Sequence, residues 1–147
     1  MEIKQITPEE AKNLLDSGQN YIYLDVRSES EFKQGHPAGA YNIPVKHLNI
    51  AVQQLEDNPD FTEVVEVNFE KEAKLLLGCG SGPRSNAACE MLAASGYQDL
   101  ANIDGGFNGG RDMYGNITKQ GWTQLGYPVE DGSGEDRSYE ILKGKSA

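Results

Sequence analysis

Cys79-Gly80-Ser81-Gly82-Pro83-Arg84-Ser85 puts a thiol at the head of a glycine-rich loop that also holds two hydroxyls and a guanidinium. An apolar run from Ala73 to Leu77 precedes it, and Asn86 to Ala94 follows with apolar positions at helical spacing, so the loop joins a strand to a helix. In such a loop several amides converge on one anion, and the helix adds roughly half a positive charge at its N-terminus. A free cysteine has a pKa of about 8.5, which helix N-termini and neighbouring cations bring to about 3.5–7.5. A cysteine so placed is expected to be a nucleophilic thiolate, although the same position also suits a small packed residue. Gly80 and Gly82 permit the positive-φ turns of a cradle, and Ser81 adds a hydroxyl donor. Arg84 adds a cation with forked donors suited to an oxyanion. The amides of Gly80, Ser81, Gly82, Arg84 and Ser85 are the expected inward donors. Pro83 has no N–H and fits the first helical position.

The elements that must position this loop can be read from caps and periodicity. Thr7-Pro8-Glu9-Glu10 is a capping box with proline inside it, opening a helix that Gly18 stops. Tyr21 to Val26 reads as a buried strand, and Ser28 with Glu31 three residues on caps a short helix ending by Gly35. A short strand is expected around Tyr41 to Ile43, closed by Pro44. A polar–apolar helical pattern runs from about Lys46 to Glu56, and Asn58-Pro59 breaks it. Asp60 is placed to cap a helix through Val67, although Val64, Val65 and Val67 also suit a strand. Lys74 to Gly78 is the strand before the loop, Pro83 to Ser95 its helix, and Leu100 to Asp104 a further strand. Strands alternating with helices imply an α/β fold with a mostly parallel sheet, in which ligands bind beyond the carboxyl ends of the strands. Cys79 lies at such an end.

A chain of 147 residues is one ordinary domain. Its net charge of −10 argues against nucleic acid and anionic membranes, polyanions that need a basic face. Two cysteines make no disulfide framework, and His36 and His47 offer no zinc spacing, so neither metal nor organic cofactor is expected. No run reaches membrane-spanning length, and Met1 to Gln5 carries no apolar targeting segment, which leads to the expectation of a cytoplasmic protein. Glu130-Asp131-Gly132-Ser133-Gly134-Glu135-Asp136 has the composition of a solvated stretch, so residues 130–147 read as an acidic, flexible C-terminal tail after a domain spanning 4–129. Ser138 to Ala147 could still form a short helix through Tyr139, Ile141 and Leu142.

Leu24-Asp25-Val26-Arg27, Glu31-Phe32, Gly35-His36, Gly39-Ala40-Tyr41-Asn42-Ile43-Pro44, the Cys79 loop and Gly105-Gly106-Phe107 follow one another in an order that closely resembles the rhodanese family of sulfurtransferases. The resemblance covers roughly residues 4 to 129. It implies a single rhodanese-like domain, a central mostly parallel sheet flanked by helices on both faces, and a cysteine that carries sulfane sulfur as a persulfide. Cys79 matches the sulfur acceptor, and Gly80, Ser81, Gly82, Arg84 and Ser85 match the anion-binding loop. Asp25 and Arg27 match an architectural motif in which Arg27 pairs with a carboxylate. The implied reactants are a small-molecule sulfur donor such as thiosulfate and a thiol or cyanide-type acceptor, with a protein sulfur acceptor also possible.

Two departures bear on the substrate. Gly80 stands where many thiosulfate-using members carry arginine: Cys-Gly-Ser-Gly looks like mercaptopyruvate sulfurtransferases, while Arg84-Ser85 looks like thiosulfate-type single-domain members. Residues Asn108 to Gly121 are inserted before Trp122, with Arg111, Asp112, Tyr114 and Lys119 expected to be solvated. His36 is expected at the rim of a turn, and Cys89 as a packed small residue in the loop's helix.

Other readings compete. Leu76 to Gly82 also looks like the strand–loop signature of S-adenosylmethionine methyltransferases, but it falls too late in the chain for the rest of such a domain. Cysteine phosphatases use a similar cradle with one more residue between cysteine and arginine, so this smaller loop favours a terminal sulfur atom over phosphate. A non-enzymatic rhodanese-like module, acting as a sulfur carrier or docking a partner, is the remaining alternative.

Overall fold

The computed structural model describes residues 3–145. Five strands form its sheet: β1 (Lys4–Ile6), β2 (Tyr21–Asp25), β3 (Tyr41–Asn42), β4 (Lys74–Gly78) and β5 (Asp99–Ile103). They lie in the order β1-β5-β4-β2-β3, every pairing parallel, with Leu24 opposite Leu77 and Leu77 opposite Asn102. Parallel sheets are buried on both faces, which is why Leu75-Leu76-Leu77 is continuously apolar rather than alternating. Successive residues face opposite sides, so Leu24, Leu75 and Leu77 enter one core while Tyr23 and Leu76 enter the other.

The first core is closed by α3 (Phe61–Asn68) and α4 (Pro83–Ala94), through Phe61, Val64, Val65, Ala88, Cys89 and Leu92. The second is closed by α1 (Pro8–Leu15) and α2 (Glu29–Gln34), through Ala11 and Phe32, with Phe107 and Trp122 beside them. Both N-terminal capping boxes are complete, at Thr7 with Glu10 and at Ser28 with Glu31. At Asp60, by contrast, no side-chain cap forms; Asn58 Oδ1 instead accepts from the Asp60 amide at 3.0 Å.

Three expectations are corrected. Lys46 to Glu56 is not a helix but an antiparallel hairpin of Lys46–Asn49 with Gln54–Asp57. Its register sets Leu48 against Leu55 and Lys46 against Asp57, whose side chains pair at 2.9 Å, and these cross-strand matches outweigh a helical periodicity that has no core to face. Lys4–Ile6, not recognised as a strand, is the sheet edge beside β5; three residues before a capping box are too few to show a period.

The third correction concerns the C-terminal stretch. Asp131, Ser133, Glu135 and Asp136 are exposed as their charge and polarity require, yet the segment around them is anchored. Glu130 pairs across to His36, Arg137 Nη1 donates to Ala40 O at 2.9 Å, and α5 (Tyr139–Lys143) buries Tyr139 and Leu142 in the first core. Asn58 Nδ2 donates to Tyr139 Oη at 3.2 Å and Asn68 Nδ2 to Leu142 O at 3.0 Å. Two apolar side chains decide this against a charged flank. Leu142→Ala should therefore destabilise the domain by about 2–5 kcal/mol in urea unfolding, whereas a loss within about 0.5 kcal/mol, typical of an exposed site, would show that α5 does not dock.

Candidate active site

Cys79 follows β4 at the carboxyl edge of the sheet and is buried. The residue before it must be glycine, because a Cβ on Gly78 would lie 2.2 Å from Tyr23 Oη, in a ring wedged edge-on against Trp122. From Cys79 the chain turns back on itself, and the Gly82 amide donates to Cys79 Sγ at 3.1 Å. Of the two loop glycines, Gly82 takes a positive φ of 134° and Gly80 does not. Pro83 opens α4 as expected, and no side chain caps that helix, so its first-turn amides at Arg84 and Ser85 remain for a ligand.

Ser85 Oγ lies 3.4 Å from Cys79 Sγ, 3.0 Å from Gly82 O and in short contact with Asn102 Oδ1. One hydroxyl proton serves one of these acceptors at a time. Asn102 is held in turn by Gln5, whose Oε1 accepts from Asn102 Nδ2 at 2.8 Å and whose Nε2 donates to Asn86 Oδ1 at 2.7 Å. This chain of amides fixes which face Asn102 shows to the serine.

A second loop closes the cradle from behind. Phe107 N donates to Cys79 O and Asn108 N to Gly80 O, both at 2.8 Å, and Gly105 N to Ser81 O at 3.0 Å. So close an approach excludes a side chain: Gly106 has φ 52°, and a Cβ there would be 2.3 Å from Cys79 O. Asn108 Nδ2 and Arg84 Nη2 each lie 3.5 Å from where a Gly80 Cβ would stand.

Arg84 does not stand free as expected. Its Nη1 and Nη2 donate to the two carboxylate oxygens of Glu31 at 2.8 and 3.0 Å, a bidentate pair. Ser28 Oγ also donates to Glu31 Oε1, at 2.9 Å. Burial alone would raise the Glu31 pKa, but the hydrogen bonds and charge of Arg84, with those of Ser28, hold it down to about 2. The pair is thus intact above the ordinary carboxylate range and is lost only as the pH falls toward that value.

Asp25 and Arg27 do pair with each other. Arg27 Nε and Nη2 donate to the Asp25 carboxylate at 3.0 and 2.8 Å, Nη2 also donates to Gly35 O at 2.7 Å, and the guanidinium lies over the Phe107 ring at 4.3 Å. The pair ties the end of β2 to the turn after α2 and to the loop behind the cradle. His36 is buried, not at a rim, stacked on Phe32 and bonded through Nδ1 to Phe32 O and through Nε2 to Glu130. Cys89 is buried in the first core, where desolvation, with the charges of Glu90 and Cys79, pushes its thiol up to about 12. The insertion forms a hairpin, Gly110–Arg111 with Ile117–Lys119, whose residues 111–120 are exposed. It borders a polar cleft beside the cradle, lined by Ser81, Gly82, Asn102, Arg111 and Lys119, and Lys119 is paired to Asp104 at 2.7 Å.

Sequence reasoning missed Asn102, Gln5 and Asn108, and saw Glu31 as a cap and part of a family motif but not as the partner of Arg84. Asn102 carried a signal, since an amide inside an otherwise apolar strand needs a partner. Glu31 carried none for its second role, which depends on how α2 meets a loop fifty residues later.

Comparison with known proteins agrees with this geometry. A family described as "Rhodanese-like domain" matches residues 7–112. "Thiosulfate sulfurtransferase 16, chloroplastic" of Arabidopsis thaliana is 39% identical over 98 residues, which are 67% of this chain and 78% of that protein. "Thiosulfate sulfurtransferase 18" of the same plant is 35% identical over 106 residues, 72% of this chain and 76% of its own length. Among solved structures, Rv0390 from M. tuberculosis superposes with a TM-score of 0.75 at 24% identity, covering 90% of this chain and all of that one. A rhodanese-like domain protein from Staphylococcus aureus does so at 0.58 and 27% identity, over 80% of this chain and 100% of its own. With its parallel sheet, its cysteine loop at the sheet's carboxyl edge and these matches, the chain belongs to the rhodanese family.

Proposed function

We propose that the protein is a sulfurtransferase that moves sulfane sulfur from a small donor, of which thiosulfate is one, to a thiophilic acceptor through a persulfide on Cys79. The observation that carries this reading is the Gly82 amide pointing at Cys79 Sγ at 3.1 Å, beside an uncapped helix start. Donors aimed at that position can hold the sulfur that Cys79 acquires. Family membership and relatives named thiosulfate sulfurtransferase at 35–39% identity support an enzyme of sulfurtransferase type.

In the first step the Cys79 thiolate attacks the outer sulfur of the donor, a bond forms between the two sulfurs, and the donor's remaining part leaves with the electron pair. In the second, a thiol or cyanide-type acceptor attacks that outer sulfur and releases the thiolate. Carrying the sulfur covalently splits one transfer into two easier ones and gives ping-pong kinetics. Ser85 and the Gly82 amide steady the sulfur through both steps, while Asp25 and Arg27 hold the surrounding loops and do not touch it.

Incubation with a sulfur donor should add one sulfur atom to Cys79, seen as a mass increment that cyanide removes, and Cys79→Ser should abolish it. Mapping of the increment to Cys89, or full activity in Cys79→Ser, would overturn the assignment. Cys89→Ala should leave turnover within a few-fold, because its thiol is buried in the core and protonated at neutral pH. Aryl phosphates should be hydrolysed marginally or not at all, since the short loop cannot surround three phosphate oxygens with amides; Cys79-dependent phosphatase turnover would refute the sulfur reading.

A further inference from the structure

The cations around the cradle are already matched. Arg84 is gripped by both oxygens of Glu31, and Arg27, over the Phe107 ring, by both oxygens of Asp25. Lys119 across the neighbouring cleft is paired to Asp104, and Arg111 turns one nitrogen to Gly115 O within its own hairpin. Gly80 supplies no cation where an arginine could be accommodated, as the space at its Cβ meets only Arg84 Nη2 and Asn108 Nδ2, at 3.5 Å. Glu31 is itself fixed, accepting from Ser28 Oγ at 2.9 Å and from the Ser28 amide at 3.3 Å, so it cannot follow a departing Arg84 without leaving its capping box, and releasing Arg84 means breaking both bonds of the fork.

A donor meets this balance differently according to its charge. Thiosulfate brings two negative charges to a thiolate and expels sulfite, also a dianion, next to a guanidinium whose charge Glu31 cancels. An organic persulfide, R–S–SH, brings at most one at its reacting end and expels a thiolate. Like charges crowded into a half-buried site repel strongly, and a neutralised arginine does little to relieve them.

We infer that Glu31 selects the sulfur donor: by holding Arg84 in a bidentate pair it disfavours the sulfite-releasing dianion and leaves the cradle suited to an organic persulfide. The inference rests on the sulfur-transfer reading of Cys79. In the step concerned, the Cys79 thiolate attacks the outer sulfur, which keeps its proton. The bond between outer and inner sulfur breaks, and its electron pair leaves on the thiolate R–S⁻, which takes a proton from water. No external oxidant or reductant is consumed. Glu31 is a positioning residue, acting on the donor through Arg84.

The test loads the full-length protein with thiosulfate and with glutathione persulfide in parallel and follows the Cys79 mass increment over time. The unaltered protein should load faster from the organic persulfide per unit donor; a preference for thiosulfate would overturn the inference. Glu31→Gln keeps Oε1 as the cap acceptor but removes the carboxylate charge and the acceptor for Arg84 Nη2, so the guanidinium charge is no longer cancelled. It should raise kcat/KM for thiosulfate by about ten-fold, the scale of one charge-assisted contact, and change loading from the persulfide far less. Adding Arg84→Gln to that variant should erase the gain. An unchanged ratio between donors in Glu31→Gln, with both still loading Cys79, would sink the role of Glu31 and leave sulfur transfer standing. Failure of both donors to load Cys79 would remove the sulfur-transfer reading and this inference with it.

Discussion

The backbone contact between the Cys79 loop and the Gly105–Asn108 loop is the constraint on which the site depends. Three amides of the rear loop are spent on carbonyls of residues 79–81, so those carbonyls face backward and the loop's own amides are left to face the other way. Peptide planarity makes the two directions a single choice. The contact is possible only because Gly106 has no Cβ and Gly78 leaves room for Tyr23. Two glycines, Gly78 at the end of β4 and Gly106 in the loop after β5, thus convert an ordinary strand-to-helix turn into a cradle whose donors converge on a sulfur.

Much of this was legible in the sequence, and for local reasons. Capping boxes at Thr7 and Ser28, Pro83 at a helix start and the apolar run before Cys79 are each decided within a few residues, and the structure has them all. What failed was decided at a distance. Lys46 to Glu56 has a helical period and a strand period at once, and only pairing of Leu48 with Leu55 separates them. The C-terminal stretch reads as solvated by charge, yet two side chains, Tyr139 and Leu142, find a core whose other members run from Leu24 to Leu100, and Leu142 O accepts from Asn68, 74 residues earlier. Gln5 and Asn102 meet because the first and last strands of the sheet run side by side, a fact of topology that no window of sequence contains.

The same limit explains why Arg84 looked like a free cation. In sequence it is the guanidinium of the loop, and nothing near it is acidic until Glu90, which lies on the exposed side of α4. Its partner comes from α2, a helix packed on the opposite face of the sheet, which reaches the loop only at the carboxyl edge where both elements begin. Residue type announces what a side chain can do. Which of its capacities is already taken depends on the neighbours the fold supplies.

Segment 25–31 supplies both carboxylates that bind arginines around the cradle, Asp25 for Arg27 and Glu31 for Arg84. Such pairs add little net stability when buried, because desolvation offsets much of their attraction, but they fix geometry, since a bidentate fork tolerates few orientations. Arg27 uses a second Nη2 donor on Gly35 O and its face on Phe107, so the first pair sets where the rear loop lies. Glu31 uses its remaining capacity on Ser28, so the second sets where α2 begins relative to Arg84. The acidic character of the chain therefore enters the site in two ways that pull against each other. The carboxylates hold the loops around Cys79 in place, and in doing so they remove the positive charge that an anionic donor would otherwise find there.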